Sequence, residues 1–335
     1  MENKPLIGVT MGDPFGIGPE LVLKALAEPS VYEVCRPVVI GSRAPLVKAI
    51  ESVGSSQSIK CIESPADAVY GVETVNLMDM DYEFRYEPGA IKAENGAIVI
   101  KYMRRAYELI ADGVLEGTAS APCNKEAMKK AGSPYTGATE LFGHFAGDVR
   151  AFAVALQDNY FCFNVTEHQS LRKALDSLNC EKIGDKIHEV CGVLRGFGYE
   201  SPRLVVSGIN PHCGDGGTMG TEEIDFVIPA VEAARAGGID ILGPVPADAV
   251  FIKAVRGERD AVITMFHDHG GIGSKLIAAV MNRPTAVLTA NLPFIRTTVA
   301  HGTAYDIAYQ NKADHRQMRN CIITAGRFAL KMRKK

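Results

Sequence analysis

Leu6-Ile7-Gly8-Val9-Thr10-Met11-Gly12-Asp13-Pro14-Phe15-Gly16-Ile17-Gly18-Pro19-Glu20 is the stretch whose reading decides the fold class. A short apolar run ends in a Gly-Asp-Pro turn. Helical spacing follows from Glu20 to Glu28, with Leu21, Val22, Ala25 and Leu26 on one side. The same succession recurs outward from this point. Pro37-Val38-Val39-Ile40 reads as a strand and Leu46 to Val53 as a helix. Asn95 to Ala111 reads as a long amphipathic helix through Ile98, Tyr102, Ala106 and Ile110. Leu204-Val205-Val206, Ala261-Val262-Ile263 and Ala286-Val287-Leu288 read as buried strands. Such alternation predicts an α/β fold with a largely parallel sheet, whose ligands gather at the C-terminal ends of the strands.

A chain of 335 residues, 47% hydrophobic, exceeds what one core organises, so two domains are expected. No Pro/Ser linker separates them, which points to interleaving. Net charge is −3, from 36 basic and 39 acidic residues without a long block of like charge. The basic end at 331–335 reads as a solvated helix tail. Nucleic acid is excluded as a partner on these grounds. The eight cysteines show no CxxC pair, which suits reduced thiols and speaks against a disulfide framework or a zinc–thiolate site. No signal peptide is read at the N-terminus and no apolar stretch reaches ~20 residues. The expectation is a cytoplasmic protein without a membrane partner.

Four clusters fall where such a fold puts chemistry. In Met11–Glu20, glycines let backbone approach a ligand, and the helix start behind them favours an anion. The spacing is not GxGxxG, and a tight strand-to-helix turn is an even competitor. In Thr118–Glu126, Lys125 can contact an acidic substrate or move a proton; a solvated lysine is the plainer reading. His168, His212 and His267 each follow a predicted strand. Converging on one rim they would make a divalent metal site with open positions, backed by Asp248 and Asp268. Separately, each is an ordinary polar loop residue. In Leu292–Asp306, Arg296 can hold a carboxylate or phosphate through its planar fork, and His301-Gly302-Thr303 can present donors to a nucleotide. A helix capped by Thr303 is the alternative.

Taken in order, MGDPFGIGPE (11–20), APCNKEA (121–127), GINPHCGDGGTMGTEEID (208–225), PADAVF (246–251), FHDHG (266–270), LPFIRT and HGTAYD (292–306) resemble the 4-hydroxythreonine-4-phosphate dehydrogenase family of vitamin B6 synthesis, over nearly the whole chain. The resemblance implies two interleaved α/β/α domains, isocitrate/isopropylmalate dehydrogenase-like, with the active site in the interdomain cleft. Residues 1–130 with 295–335 would form the cofactor side, and 131–294 the metal and dimer side. It implies a homodimer with a shared site, NAD or NADP as cofactor, and a divalent metal (Zn, Mg, Mn or Co) on His168, His212 and His267. Thr139, Lys275 and Arg296 would bind a small phosphorylated hydroxy acid. Gly12, Asp13, Gly16, Gly18, His301, Gly302 and Asp306 would meet the cofactor, and Lys125 and Asp248 would transfer protons.

The chain departs from that family's pattern at Ala138 (His there), Val287 (Asn), Ala300 (Asp) and His269 (Gln). Lost hydrogen-bond partners cost about 1–3 kcal/mol each. The reaction type is therefore expected to persist while the substrate shifts, with 4-phospho-D-threonate/erythronate or a cis-dihydrodiol carboxylate as alternatives to 4-hydroxythreonine 4-phosphate. Two other classes compete: a metal-dependent hydrolase or aldolase, which would give no absorbance change with NAD⁺ or NADP⁺, and a non-catalytic ligand-binding protein, which would release no product.

Overall fold

The apolar runs become strands buried over nearly their whole length. The computed structural model describes residues 3–83, 85–87, 89–157, 159–281 and 285–333; Lys334 and Lys335 of the basic end lie outside them. In chain order the strands are β1 (Leu6–Thr10), β2 (Arg36–Gly41), β3 (Ser58–Cys61), β4 (Thr74–Asp79), β5 (Gly117–Ser120), β6 (Phe152–Gln157), β7 (Tyr160–Asn164), β8 (Arg203–Ser207), β9 (Asp240–Val245), β10 (Ala261–Thr264), β11 (Ala286–Ala290) and β12 (Ile295–Thr298). All four residues of β10 are buried, as are all but the first of β1 and β2. A parallel strand covered on both faces reads as a continuous apolar run, which is why these segments were visible in the sequence.

The chain divides into two compact units, Met1–Ala153 with Ala286–Lys335, and Val154–Thr285. In the first, the strand order is β3-β4-β2-β1-β5-β12-β11, parallel except for the antiparallel pair β11–β12. In the second it is β6-β7-β10-β8-β9, with β7, β10, β8 and β9 parallel and β6 antiparallel to β7.

The joints between units differ from those expected at 130/131 and 294/295. Residues 131–153 and 286–294 lie in the first unit. The reason is packing. Leu141 and Phe142 of helix Ala138–Phe145, together with Phe294, close a core on Val99 and Met103 of helix Ala93–Ala111 and on Met128. Each such side chain contributes about 1.5–3 kcal/mol when fully buried. Gly96 lets the Ala93–Ala111 helix approach closely here: a Cβ at that position would stand 2.0 Å from the Ala127 carbonyl oxygen. Among the described residues, no helix is long and apolar enough to cross a membrane.

Candidate functional site

β1, β5 and β12 are parallel neighbours, so the loops that follow them share one rim of the first unit. The loop after β1 lies inside that rim. Every residue from Met11 to Glu20 is buried. Its glycines serve backbone-to-backbone approach. A Cβ at Gly12 would stand 2.4 Å from the Pro122 carbonyl oxygen, at Gly16 2.7 Å from that of Thr303, and at Gly18 2.3 Å from that of Met11. The Asp13 amide donates to Pro122 O (2.9 Å) and the Ile17 amide to Thr303 O (2.9 Å). Asp13 is fully enclosed; its carboxylate accepts the Phe15 amide (2.9 Å) and the Tyr305 hydroxyl (2.5 Å), and burial raises its pKa. The Tyr309 hydroxyl donates to Pro14 O (2.6 Å).

Of the residues expected at the cofactor, Gly12, Asp13, Gly16 and Gly18 are thus covered by protein, whereas His301, Gly302 and Asp306 are exposed. The buried motif clamps the 301–309 segment from below. Tyr305→Phe removes the hydroxyl and leaves a buried carboxylate short of a donor. It should cost about 1–3 kcal/mol, seen as a melting temperature several degrees lower; an unchanged melting curve would show that the clamp adds nothing.

Above that clamp lies a cleft of about 710 Å³, lined in part by Lys125, Thr139, Arg296, His301 and Gly302. Ala138, Val287 and Ala300, three of the positions at which the chain departs from the resembled pattern, line it too. Arg296 dominates its chemistry. The side chain is 1% exposed and its guanidinium carbon sits 4.8 Å from the centre of the Phe142 ring. Nη1 donates to Thr289 Oγ1 (2.7 Å) and reaches Thr139 Oγ1 at 3.5 Å, while Nε has no partner. Among the described residues, no carboxylate pairs with it. Burial lowers its pKa to about 10, far too little to discharge it at neutral pH. A buried guanidinium without a counter-ion costs several kcal/mol. A bound anion would offset that cost, and the cleft admits one. Glu126, among the described residues the one acid lining the cleft, is exposed and paired with Lys130 at 3.0 Å.

In the second unit, β7, β10 and β8 are adjacent and parallel, and His168, His267 and His212 follow them in that order along one rim. The rings of His168 and His267 face each other, with centroids 5.4 Å apart and planes 43° apart. Two imidazoles on one tetrahedral ion, each at about 2.1 Å, would place their centres roughly 5.3 Å apart. His267 Nδ1 lies 2.8 Å from Asp268 Oδ1, which leaves Nε2 free to ligate, an arrangement usual for metal-bound histidine. The spacing of the pair matches that of two imidazoles sharing an ion. His212 is exposed on the turn Pro211–Gly217, outside that pair. Among the described residues, no group of three or more His, Cys, Asp or Glu side chains is arranged to hold one ion. Asp248 is exposed on a groove of about 590 Å³ with Asp268 and His269, and Lys275 is exposed on helix His267–Val280.

Sequence reasoning missed Thr289, which orients the guanidinium, and Tyr305, which anchors the 301–309 segment. Thr289 sits in an apolar strand where a lone hydroxyl carries no signal, but Tyr305 stands inside the quoted HGTAYD motif.

Residues 33–325 match the family of pyridoxal phosphate biosynthetic protein PdxA. D-threonate 4-phosphate dehydrogenase of Pectobacterium atrosepticum is 38% identical over 327 residues, covering 97% of this chain and 99% of that protein. The crystal structure of 4-hydroxythreonine-4-phosphate dehydrogenase from Klebsiella pneumoniae is 38% identical, covers 98% of each chain and superposes with a TM-score of 0.83. Terephthalate 1,2-cis-dihydrodiol dehydrogenase from Burkholderia xenovorans, at 23% identity, 96% and 98% coverage and a TM-score of 0.62, shares the fold.

Proposed function

The chain belongs to the PdxA family of pyridoxal phosphate biosynthetic proteins, and from that premise we propose that it oxidises a 4-phosphorylated hydroxy acid of the threonate or erythronate type. It is an oxidoreductase acting on a CH–OH group, and membership of this dehydrogenase family implies a nicotinamide cofactor. The observation that carries the substrate assignment is Arg296, a buried cation at the wall of a cleft, without an acidic partner among the described residues. Arg296 and Thr139 hold the phosphate, and Thr289 fixes the guanidinium plane. Lys125, exposed on the same cleft, is the candidate to contact the acidic substrate or to relay the alcohol proton, and a bound nicotinamide would supply the hydride acceptor. The resulting β-keto acid then loses CO₂.

His168 and His267 would hold a divalent metal, and His212, which stands apart from that pair in this chain, would be the third ligand that the family resemblance implies. A divalent ion there would supply Lewis acidity towards an alcohol oxygen.

The charge of the lining supports the amino-free acid of the two substrates named among the relatives. An ammonium at C2, as in 4-hydroxythreonine 4-phosphate, would enter a cleft lined by Lys125 and Arg296, where among the described residues the one acid, Glu126, is engaged with Lys130. A C2 hydroxyl meets no such conflict. The test is cofactor reduction, with NAD⁺ and NADP⁺, on 4-phosphothreonate, 4-phosphoerythronate and 4-hydroxythreonine 4-phosphate. The amino-free acids should give kcat/KM at least tenfold higher; the reverse order would overturn the assignment.

A homodimer is proposed as well. Helix His267–Val280 exposes Ile272 (68%), Leu276 (62%) and Val280 (77%) beside Ile252, an apolar face that a second copy would cover. Leu276→Glu puts a charge in that face. Sedimentation should find the wild type dimeric and the variant shifted to monomer at micromolar concentration; a monomeric wild type with full activity would remove the claim.

A further inference from the structure

His212 opens a run of backbone that ordinary residues avoid. Its φ is 54°, and Cys213, Gly214, Asp215 and Gly216 follow at 58°, 78°, 43° and 67°. Three of these five carry side chains, for which left-handed backbone costs roughly 1–2 kcal/mol each. A run of this kind persists only where surrounding contacts over-determine it.

Those contacts converge on one carboxylate. Glu223 is 1% exposed, and among the described residues no lysine or arginine pairs with it. Its Oε1 accepts the amides of Ile209 (2.7 Å) and Asn210 (2.6 Å). Asn210 Nδ2 donates to Glu223 Oε2 (2.9 Å) and to Glu222 Oε2 (2.7 Å). The turn wraps the same group: a Cβ at Gly214 would stand 2.9 Å from Glu223 Oε2 and 2.8 Å from the Gly220 carbonyl oxygen. A buried acid that serves only amide donors is placed to fix backbone. The backbone it fixes is the strand exit from which His212 projects.

We infer that Glu223 is a positioning residue for His212, holding the 208–217 loop in the left-handed form that presents the imidazole on the rim. The inference rests on the reading of His212 as a metal ligand. Without the carboxylate, two amides lose their acceptor, the strained turn relaxes to ordinary backbone, and the imidazole leaves its place.

The test uses the full-length protein, stripped of metal, in three variants: Glu223→Ala, Gly214→Ala and His212→Ala. Gly214→Ala disturbs the wrap from the other side with the carboxylate intact, and it carries the test alone should Glu223→Ala fail to fold. Two quantities are read: amide hydrogen exchange over 208–217 in the metal-free protein, and Mn²⁺ affinity by titration calorimetry. Glu223→Ala and Gly214→Ala should each speed exchange in that segment at least tenfold and weaken Mn²⁺ binding at least tenfold, with exchange elsewhere unchanged. His212→Ala should weaken Mn²⁺ binding without altering exchange. Unchanged exchange in the first two variants overturns the inference and leaves the metal reading standing. Faster exchange with Mn²⁺ affinity kept, while His212→Ala loses it, also overturns the positioning role. If His212→Ala binds Mn²⁺ like the wild type, the metal reading of His212 itself falls, and the inference with it.

Discussion

Arg296→Met should lower kcat/KM for a 4-phosphorylated hydroxy acid by about 10²–10⁴-fold, because two charge-assisted bonds to phosphate are worth roughly 1.5–3 kcal/mol each. The same substitution should leave stability unchanged or raise it. Arg296 is fully buried against Phe142, Thr289 and Thr139 with no carboxylate beside it, so an apolar side chain of similar length removes an uncompensated charge. Opposite signs for activity and melting temperature mark a group kept for its ligand. An Arg296→Met protein that is both less stable and fully active would mean that the guanidinium is structural. Arg296→Lys should recover little, because an ammonium cannot form the two parallel bonds of the fork.

The second large effect concerns the histidine rim of the second unit. His168→Ala or His267→Ala should abolish stoichiometric retention of a divalent ion and lower kcat by about 10³-fold, since Lewis-acid stabilisation is worth several kcal/mol. Dialysis against a chelator should do the same to the wild type, and Zn²⁺, Mn²⁺, Co²⁺ or Mg²⁺ should restore turnover to different extents. The pair's 5.4 Å separation and the Asp268 contact on His267 Nδ1 motivate this. Full activity in excess chelator, with no metal retained, would contradict it.

The fold was legible where burial is continuous. β1, β2, β8, β10 and β11 appear in the sequence as apolar runs, and the Ala93–Ala111 helix as a spaced stripe from Ile98 through Tyr102 to Ala106. The joints between units were not legible. Helix Ala138–Phe145 belongs with the first unit through Val99, Met103 and Phe294, partners that are remote in sequence and leave no local trace.

The candidate site shows the same division. The strand-end positions of His168, His212 and His267 could be read locally, and the parallel order β7-β10-β8 makes them neighbours along one rim. The glycines of 11–18 could not be interpreted locally, because a glycine that admits a ligand and one that admits another backbone look alike. Here Pro122, Thr303 and Met11 fill the space. The role of Glu223 was hidden for a related reason. It stood inside a quoted motif, yet its partners are amides, which carry no sequence identity.

The most direct measurement is kcat/KM for nicotinamide reduction with 4-phosphothreonate and with threonate itself, on one preparation of metal-loaded wild-type protein. Two charge-assisted bonds from Arg296 to phosphate predict a preference for the phosphorylated acid of at least about 10²-fold, largely abolished in Arg296→Met. Equal values for the two acids, or no reduction of either cofactor with any phosphorylated hydroxy acid, would contradict the account.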